Sequence, residues 1–165
     1  MALQKFTVIS DYFTNNRSLV LIFFIILGVP ALFYQTTFAM AEVWWVNETY
    51  THGFLIFPIT IWLIWEKRDN LSKLYPAPEP LALIITLLVS CLWLISALID
   101  IKVIMQLSMI SIILTLLWSV LGRKIFLYLL FPFLFLYFAV PLGQSLIHVL
   151  MEFTANATVY LVRLT

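Results

Sequence analysis

The chain has 165 residues, of which 64% are hydrophobic and only 10% are charged, and its mean hydropathy is +1.07. A soluble domain is about half apolar and about a quarter charged, so the composition excludes that class and predicts an integral membrane protein. A net charge of +1 offers no cationic surface for nucleic acid, and the single cysteine, Cys91, excludes a disulfide framework within the chain.

Five apolar segments follow one another and predict an all-α, polytopic transmembrane helix bundle of about five spans. A spanning helix needs roughly 20 apolar residues, and the segments are residues 19–38, 53–65, 81–99, 103–121 and 125–142. The second is the shortest, so it either borrows the aromatic residues before it or is re-entrant. Pro30, Pro58 and Pro132 each free a backbone carbonyl, so we expect kinks that neighbouring groups cover.

The positions of the cations predict the orientation, since Lys and Arg are enriched in cytoplasmic loops. Most of them lie before the first span or in the links after the second and fourth spans: Lys5, Arg17, Lys67, Arg68, Lys73, Arg123 and Lys124. Only Lys102 and Arg163 lie on the other side. We therefore expect residues 1–18 to be cytoplasmic and residues 39–52 and 143–165 to face the outer side.

Two links between spans have distinctive compositions. Trp44, Trp45 and Tyr50 precede the second span and are expected to lie in the outer aromatic belt, where amphipathic rings are favoured. The inner link from Tyr75 to Pro80 alternates proline with other residues. This alternation predicts an extended, stiff tether without a binding role.

Residues 143–165 have the pattern of an amphipathic helix. Apolar residues recur at helical spacing, and polar residues share the opposite arc: Gln144, His148, Glu152, Asn156 and Arg163. Such a helix lies in the outer interface, which we favour, or stands upright with its polar stripe facing a cavity. No stop signal precedes Thr165, so we expect this helix to be truncated.

Four polar residues on the predicted outer face are candidates for a functional site: Glu48, His52, His148 and Glu152. His52 could act as a base or a ligand, but a histidine here more often caps the helix beginning at Gly53 or contacts headgroups and water. His148 and Glu152 have the spacing that can orient an imidazole, although most such pairs only solvate a helix face.

Cys91 is the one thiol, and it lies in the middle of the third predicted span. A thiolate there is costly, so we interpret Cys91 as a small packing residue. The sequence contains no HExxH helix and no Gly-x-Ser-x-Gly elbow, and we expect neither a cofactor nor a metal site. These patterns assign no catalytic residue.

One stretch is more specific than composition. It reads Tyr50-Thr51-His52-Gly53-Phe54-Leu55-Ile56, followed by Pro58, Trp62, Trp65, the basic pair Lys67-Arg68, and later by Pro141-Leu142-Gly143-Gln144, Leu150 and Phe153-Thr154-Ala155. This part of the chain, about residues 40–165, resembles the exosortase family. Thr51 stands where serine is more common in that family, and it keeps the hydroxyl.

The resemblance implies a bacterial inner-membrane cysteine transpeptidase or protease that processes exported proteins with a C-terminal Pro-Glu-Pro sorting signal and accompanies exopolysaccharide systems. It places the nucleophile in an Ala-x-Cys-Ser-Gly motif with an arginine and a histidine further on. Cys91, His52 and His148 do not match those positions. We expect the N-terminal membrane part of an exosortase, inactive alone, whose partners are membrane lipid, the exported substrate and a missing C-terminal half.

The alternative from another class is a non-enzymatic membrane subunit, such as a transporter half or an assembly partner. Its polar tail would line a path or bind another chain. The spans contain no internal repeat and no ionisable residue of the kind on which ion coupling depends. This pattern argues against transport.

Overall fold

The computed structural model describes residues 16–71, 74 and 76–164, without the side chains of residues 16, 17, 144–149 and 164. The described residues form helices and connecting turns and contain no strand, which confirms the all-α prediction. The α-helices are α1 (Asn16–Leu32), α2 (Tyr34–Val46), α3 (Gly53–Glu66), α4 (Arg68–Leu71), α5 (Leu81–Leu98), α6 (Lys102–Leu121), α7 (Arg123–Tyr128), α8 (Leu130–Phe135) and α9 (Gly143–Leu164). Two 3₁₀ helices are Glu48–Tyr50 and Leu136–Ala139. Most of the predicted cytoplasmic segment, residues 1–18, lies outside the described residues.

Two of the described helices, α5 and α6, are each long and apolar enough to cross a membrane. α1 and α2 pass the same test only as a pair, and they meet at an angle of 83°. α3 has 14 residues, and the segment Leu130–Ala139 is another short apolar helix. A helical membrane bundle is therefore confirmed, whereas the number of five spans stays a prediction.

The predicted first span, residues 19–38, contains a sharp bend at Phe33. This residue has φ −97° and ψ 41°, so the helix ends before it and a new one begins after it. The kink expected at Pro30 thus lies three residues further on. The Thr37 hydroxyl donates to the Pro30 carbonyl at 2.9 Å and satisfies one of the carbonyls that the end of α1 leaves without a helical partner.

A tight turn joins α5 to α6. Asp100 has φ +54°, the left-handed conformation that glycine usually takes at a helix end. The next amide, that of Ile101, donates to the Ser96 carbonyl at 2.9 Å, as in a Schellman motif. α6 then runs through the core, and its buried residues are Gln106, Ser108, Met109, Ile110, Ile112, Leu114 and Leu117.

The predicted fifth span, residues 125–142, is divided into α7, α8 and the second 3₁₀ helix. Pro132 has no N–H to donate to the carbonyl of Tyr128, four residues earlier. The Lys67 ammonium donates to that carbonyl at 2.9 Å and lies 4.9 Å from the centre of the Tyr128 ring. A basic side chain therefore covers the carbonyl that the proline frees. α3, by contrast, continues through Pro58 as one helix.

The proline-rich link is held against the end of α6. The Trp118 indole N–H donates to the Glu79 carboxylate at 2.9 Å, and the Glu79 amide donates to the Ser119 carbonyl at 3.1 Å. Gly122 has φ +80° and lies so close to the Ala77 carbonyl that a Cβ would overlap it. The link that was expected to be a stiff, extended tether is therefore also held against the end of α6 by these contacts.

α9 (Gly143–Leu164) coincides with the predicted amphipathic helix over the described residues. Its described side chains from Leu150 to Arg163 are exposed, apart from the half-buried Ala157. The arrangement of this helix relative to the membrane stays a prediction.

Candidate functional site

The turn between α2 and α3 contains two of the four candidate residues, Glu48 and His52. Asn47 follows α2 with an extended backbone, and its side-chain oxygen accepts a hydrogen bond from the Thr49 amide at 3.1 Å. This Asx-type turn leads into the 3₁₀ helix Glu48–Tyr50. Short polar side chains thus reverse the chain between two apolar helices and leave Glu48 and His52 exposed.

The His52 ring is oriented by the backbone of its own turn. Its Nδ1 lies 3.0 Å from the Thr49 carbonyl oxygen. A carbonyl only accepts, so Nδ1 of the neutral ring carries the hydrogen and Nε2 keeps the lone pair. His52 directly precedes α3, but its side chain makes no capping bond. Nε2 is therefore the atom that can accept a hydrogen bond or a proton from an arriving group.

Residues 44–53 pack against residues 139–143, and we call this contact the junction. Trp44 is 8% exposed, and its indole N–H donates to the Ala139 carbonyl at 2.8 Å. Gly53 lies directly against this indole, where a Cβ would overlap the ring. The aromatic-belt interpretation is therefore wrong for Trp44, whereas the neighbouring Trp45 is 83% exposed.

A second glycine brings α9 into the junction. Gly143 begins α9 beside the Tyr50 hydroxyl, so close that a Cβ would overlap the oxygen. The Tyr50 and His52 rings are 6.3 Å apart between centroids. The start of α9 is thus placed next to the turn that carries His52.

The other candidates do not join His52 in a cluster. Glu152 is exposed in the third turn of α9, and in the described part of the chain no hydrogen bond or ion pair connects it to Glu48 or His52. The His148 backbone belongs to α9, but its side chain lies outside the described atoms. The described residues also contain no group of three His, Cys, Asp or Glu side chains that could hold a metal ion.

Cys91 is exposed on α5. The interpretation of Cys91 as a small packing residue is therefore wrong within this chain, because the side chain does not fill a gap between helices. Nothing in the described structure connects it to the junction.

Two features of the structure were missed by the sequence analysis. The first is the burial of Trp44. Gly53 and Gly143, two of the four glycines in the chain, were the available signal, because glycine allows a close approach of the backbone to a ring. The other is Gln106, which is 4% exposed within α6 and whose side-chain oxygen finds no hydrogen-bond partner among the residues described. A lone amide side chain in an apolar span was the available signal.

A family model described as transmembrane exosortase matches residues 44–165, well over half of the chain. This chain belongs to the transmembrane exosortase family. No curated protein and no solved structure matches it. In this exosortase the family region begins at Trp44 and includes both sides of the junction, whereas α1 and most of α2 precede it.

Proposed function

We propose that this chain forms the membrane-embedded, substrate-binding part of a cysteine transpeptidase or protease that processes exported proteins with a C-terminal sorting signal. Such an enzyme would act in a bacterial inner membrane in connection with exopolysaccharide production. The observation that carries the proposal is the exosortase match over residues 44–165. Both sides of the junction, including the Trp44 indole that donates to the Ala139 carbonyl, lie within the matched residues.

His52 and Glu48 are proposed to contact the substrate peptide. In the neutral tautomer whose Nδ1 donates to the Thr49 carbonyl, Nε2 of His52 can take a hydrogen bond from a peptide N–H at this exposed turn. Glu48 adds a carboxylate on the same turn. Both residues are assigned to binding. The cysteine, arginine and histidine that the resemblance implies for cleavage have no match in this sequence, so we expect the separate chain to be inactive.

The proposal includes an orientation with residues 1–18 in the cytoplasm and residues 39–52 and 143–165 outside, which the distribution of cations supports. A cysteine-accessibility experiment in the Cys91→Ala background tests it. Glu48→Cys should react with an impermeant maleimide added to intact cells, and Arg123→Cys should not. Labelling of position 123 from outside would overturn the orientation.

Photo-crosslinking in membranes tests substrate binding. A photoreactive residue in place of Thr51, which is exposed between Glu48 and His52, should crosslink to an exported reporter ending in a Pro-Glu-Pro sorting signal. The same reporter with a scrambled signal should not react. The control is the photoreactive residue in place of the exposed Lys124, where no crosslink is expected.

Absence of a signal-dependent crosslink at Thr51 would overturn the proposal. Co-purification of a fixed-stoichiometry partner from those same membranes would then favour the non-enzymatic subunit.

A further inference from the structure

A cavity of about 150 Å³ lies between the start of α2 and the turn joining α5 to α6. Its polar lining residues are Gln35, Thr36, Asp100, Lys102 and Gln106. It is separate from the junction, which contacts the other end of α2 through Trp44. None of its lining residues has a role in the binding turn at Glu48 and His52.

Gln106 is the residue that sets this cavity apart from a packing gap. It is 4% exposed and lines the cavity, and its Oε1 has no hydrogen-bond partner in the part of the chain that the structure describes. Buried polar side chains nearly always have a partner, so an unpartnered one at a cavity leaves a hydrogen-bonding position for a ligand or water to fill. A primary amide offers both an acceptor oxygen and a donor nitrogen. The complementary ligand therefore carries a donor and an acceptor side by side.

The rest of the lining has the same mixed character. Asp100 supplies an acceptor and is held in the left-handed conformation with φ +54°, while Lys102 supplies a donor. Lys102 also begins α6, whose first turn has no side-chain cap, so backbone N–H groups there lack helical partners. Thr36 is 3% exposed, and its hydroxyl oxygen accepts from the Trp93 indole at 3.3 Å.

We propose that Gln106 binds a backbone amide of the extended substrate peptide, its Oε1 accepting the peptide N–H and its Nε2 donating to the peptide carbonyl. This inference rests on the proposed function, which supplies the peptide. α2 covers about 14 Å from Gln35 to Trp44 at about 1.5 Å per residue. An extended peptide covers that length with about four residues, so a peptide of about six residues is long enough to extend from the cavity to the junction end of α2.

Two photoreactive positions separate this inference from the proposed function. One replaces Ala39, which lines the cavity, and the other replaces Thr51 beside His52. A synthetic sorting-signal peptide should crosslink at both positions of the full chain in detergent micelles. Crosslinking at Thr51 alone would overturn the inference and leave the proposed function standing, whereas crosslinking at neither position would overturn both.

Gln106→Met then tests the amide pairing itself, because it keeps the side-chain length and removes both polar atoms. The peptide concentration for half-maximal crosslinking at Ala39 should rise about tenfold, with no decrease in the unfolding midpoint. Ser108→Ala is the matched control, since Ser108 Oγ is also buried without a partner but does not line the cavity. It should leave peptide binding unchanged. An unchanged half-maximal concentration in Gln106→Met would show that the Gln106 amide does not pair with the peptide and would overturn the inference.

Discussion

The junction and the Gln106 cavity lie at opposite ends of α2. They differ in whether their buried polar groups have hydrogen-bond partners among the described residues. At the junction the Trp44 N–H is paired with the Ala139 carbonyl at 2.8 Å, and two glycines allow the backbone to approach the aromatic rings. At the cavity the Gln106 Oε1 has no partner among the described residues. Changes at the junction should therefore damage the fold, whereas changes at the cavity should damage binding.

The largest effect is expected at Gly53, which lies directly against the Trp44 indole in the junction. In Gly53→Ala the added Cβ overlaps the buried Trp44 indole, so the tryptophan or α3 must shift. Overpacking of this kind costs on the order of 3 kcal/mol. The free energy of unfolding can be followed by circular dichroism during SDS titration of the micellar protein.

Gly28→Ala is the matched control, because no described atom outside its own helix lies within 4 Å of a Cβ there. We expect no loss of stability and a gain of up to about 1 kcal/mol from helix propensity. Equal losses for the two glycine variants would show that Gly53 is not constrained by Trp44.

Lys67 is a second buried or half-buried polar group with a partner inside the chain, because its ammonium donates to the Tyr128 carbonyl. Lys67→Met removes the donor to the Tyr128 carbonyl, which Pro132 cannot replace, and should cost about 2 kcal/mol of unfolding free energy. Lys124→Met removes the same charge from an exposed side chain and should be nearly neutral. If both variants lose the same stability, the charge matters and the hydrogen bond does not.

The opposite sign is expected at the cavity. Gln106→Met removes a buried oxygen without a partner, so the free energy of unfolding should rise by about 1 kcal/mol. Measured in the same titration, a loss as large as that of Lys67→Met would mean that Gln106 is part of the internal framework. The cavity would then resemble the junction, where the buried polar group contributes to the stability of the fold.

The smallest effect is expected at Asp100. Asp100→Gly relieves the left-handed backbone, with φ +54°, and should stabilise the fold by about 0.5 kcal/mol after the added chain entropy of glycine is subtracted. Asp100→Asn tolerates the same conformation and should leave stability unchanged. If neither variant alters the binding of the sorting-signal peptide, the carboxylate has no role in the cavity.

Much of the helical layout could be predicted from apolar runs, and the differences have local physical causes. α5 and α6 begin and end within one residue of the predicted limits 81–99 and 103–121. The first and fifth predicted spans, residues 19–38 and 125–142, are interrupted at Phe33 and Leu129. Hydropathy is high on both sides of each interruption, so it carries no information about backbone direction there.

The candidate site could be predicted only in part. Glu48 and His52 do share an exposed turn, but the proximity of that turn to Gly143 depends on a contact between residues far apart in the chain. Gln106 was not selected, because an isolated amide in a span has the same appearance whether it is paired or not. Only the surrounding helices determine whether a partner is within reach.

The sequence by itself determined that this exosortase is a helical membrane protein, because a backbone in lipid must satisfy its hydrogen bonds internally and long apolar runs do so as helices. The tertiary structure alone decided that Trp44 is buried, that Lys67 covers the Tyr128 carbonyl and that Gln106 faces a cavity. Helix formation depends on neighbours along the chain, whereas burial and pairing depend on which distant residues the packing brings together.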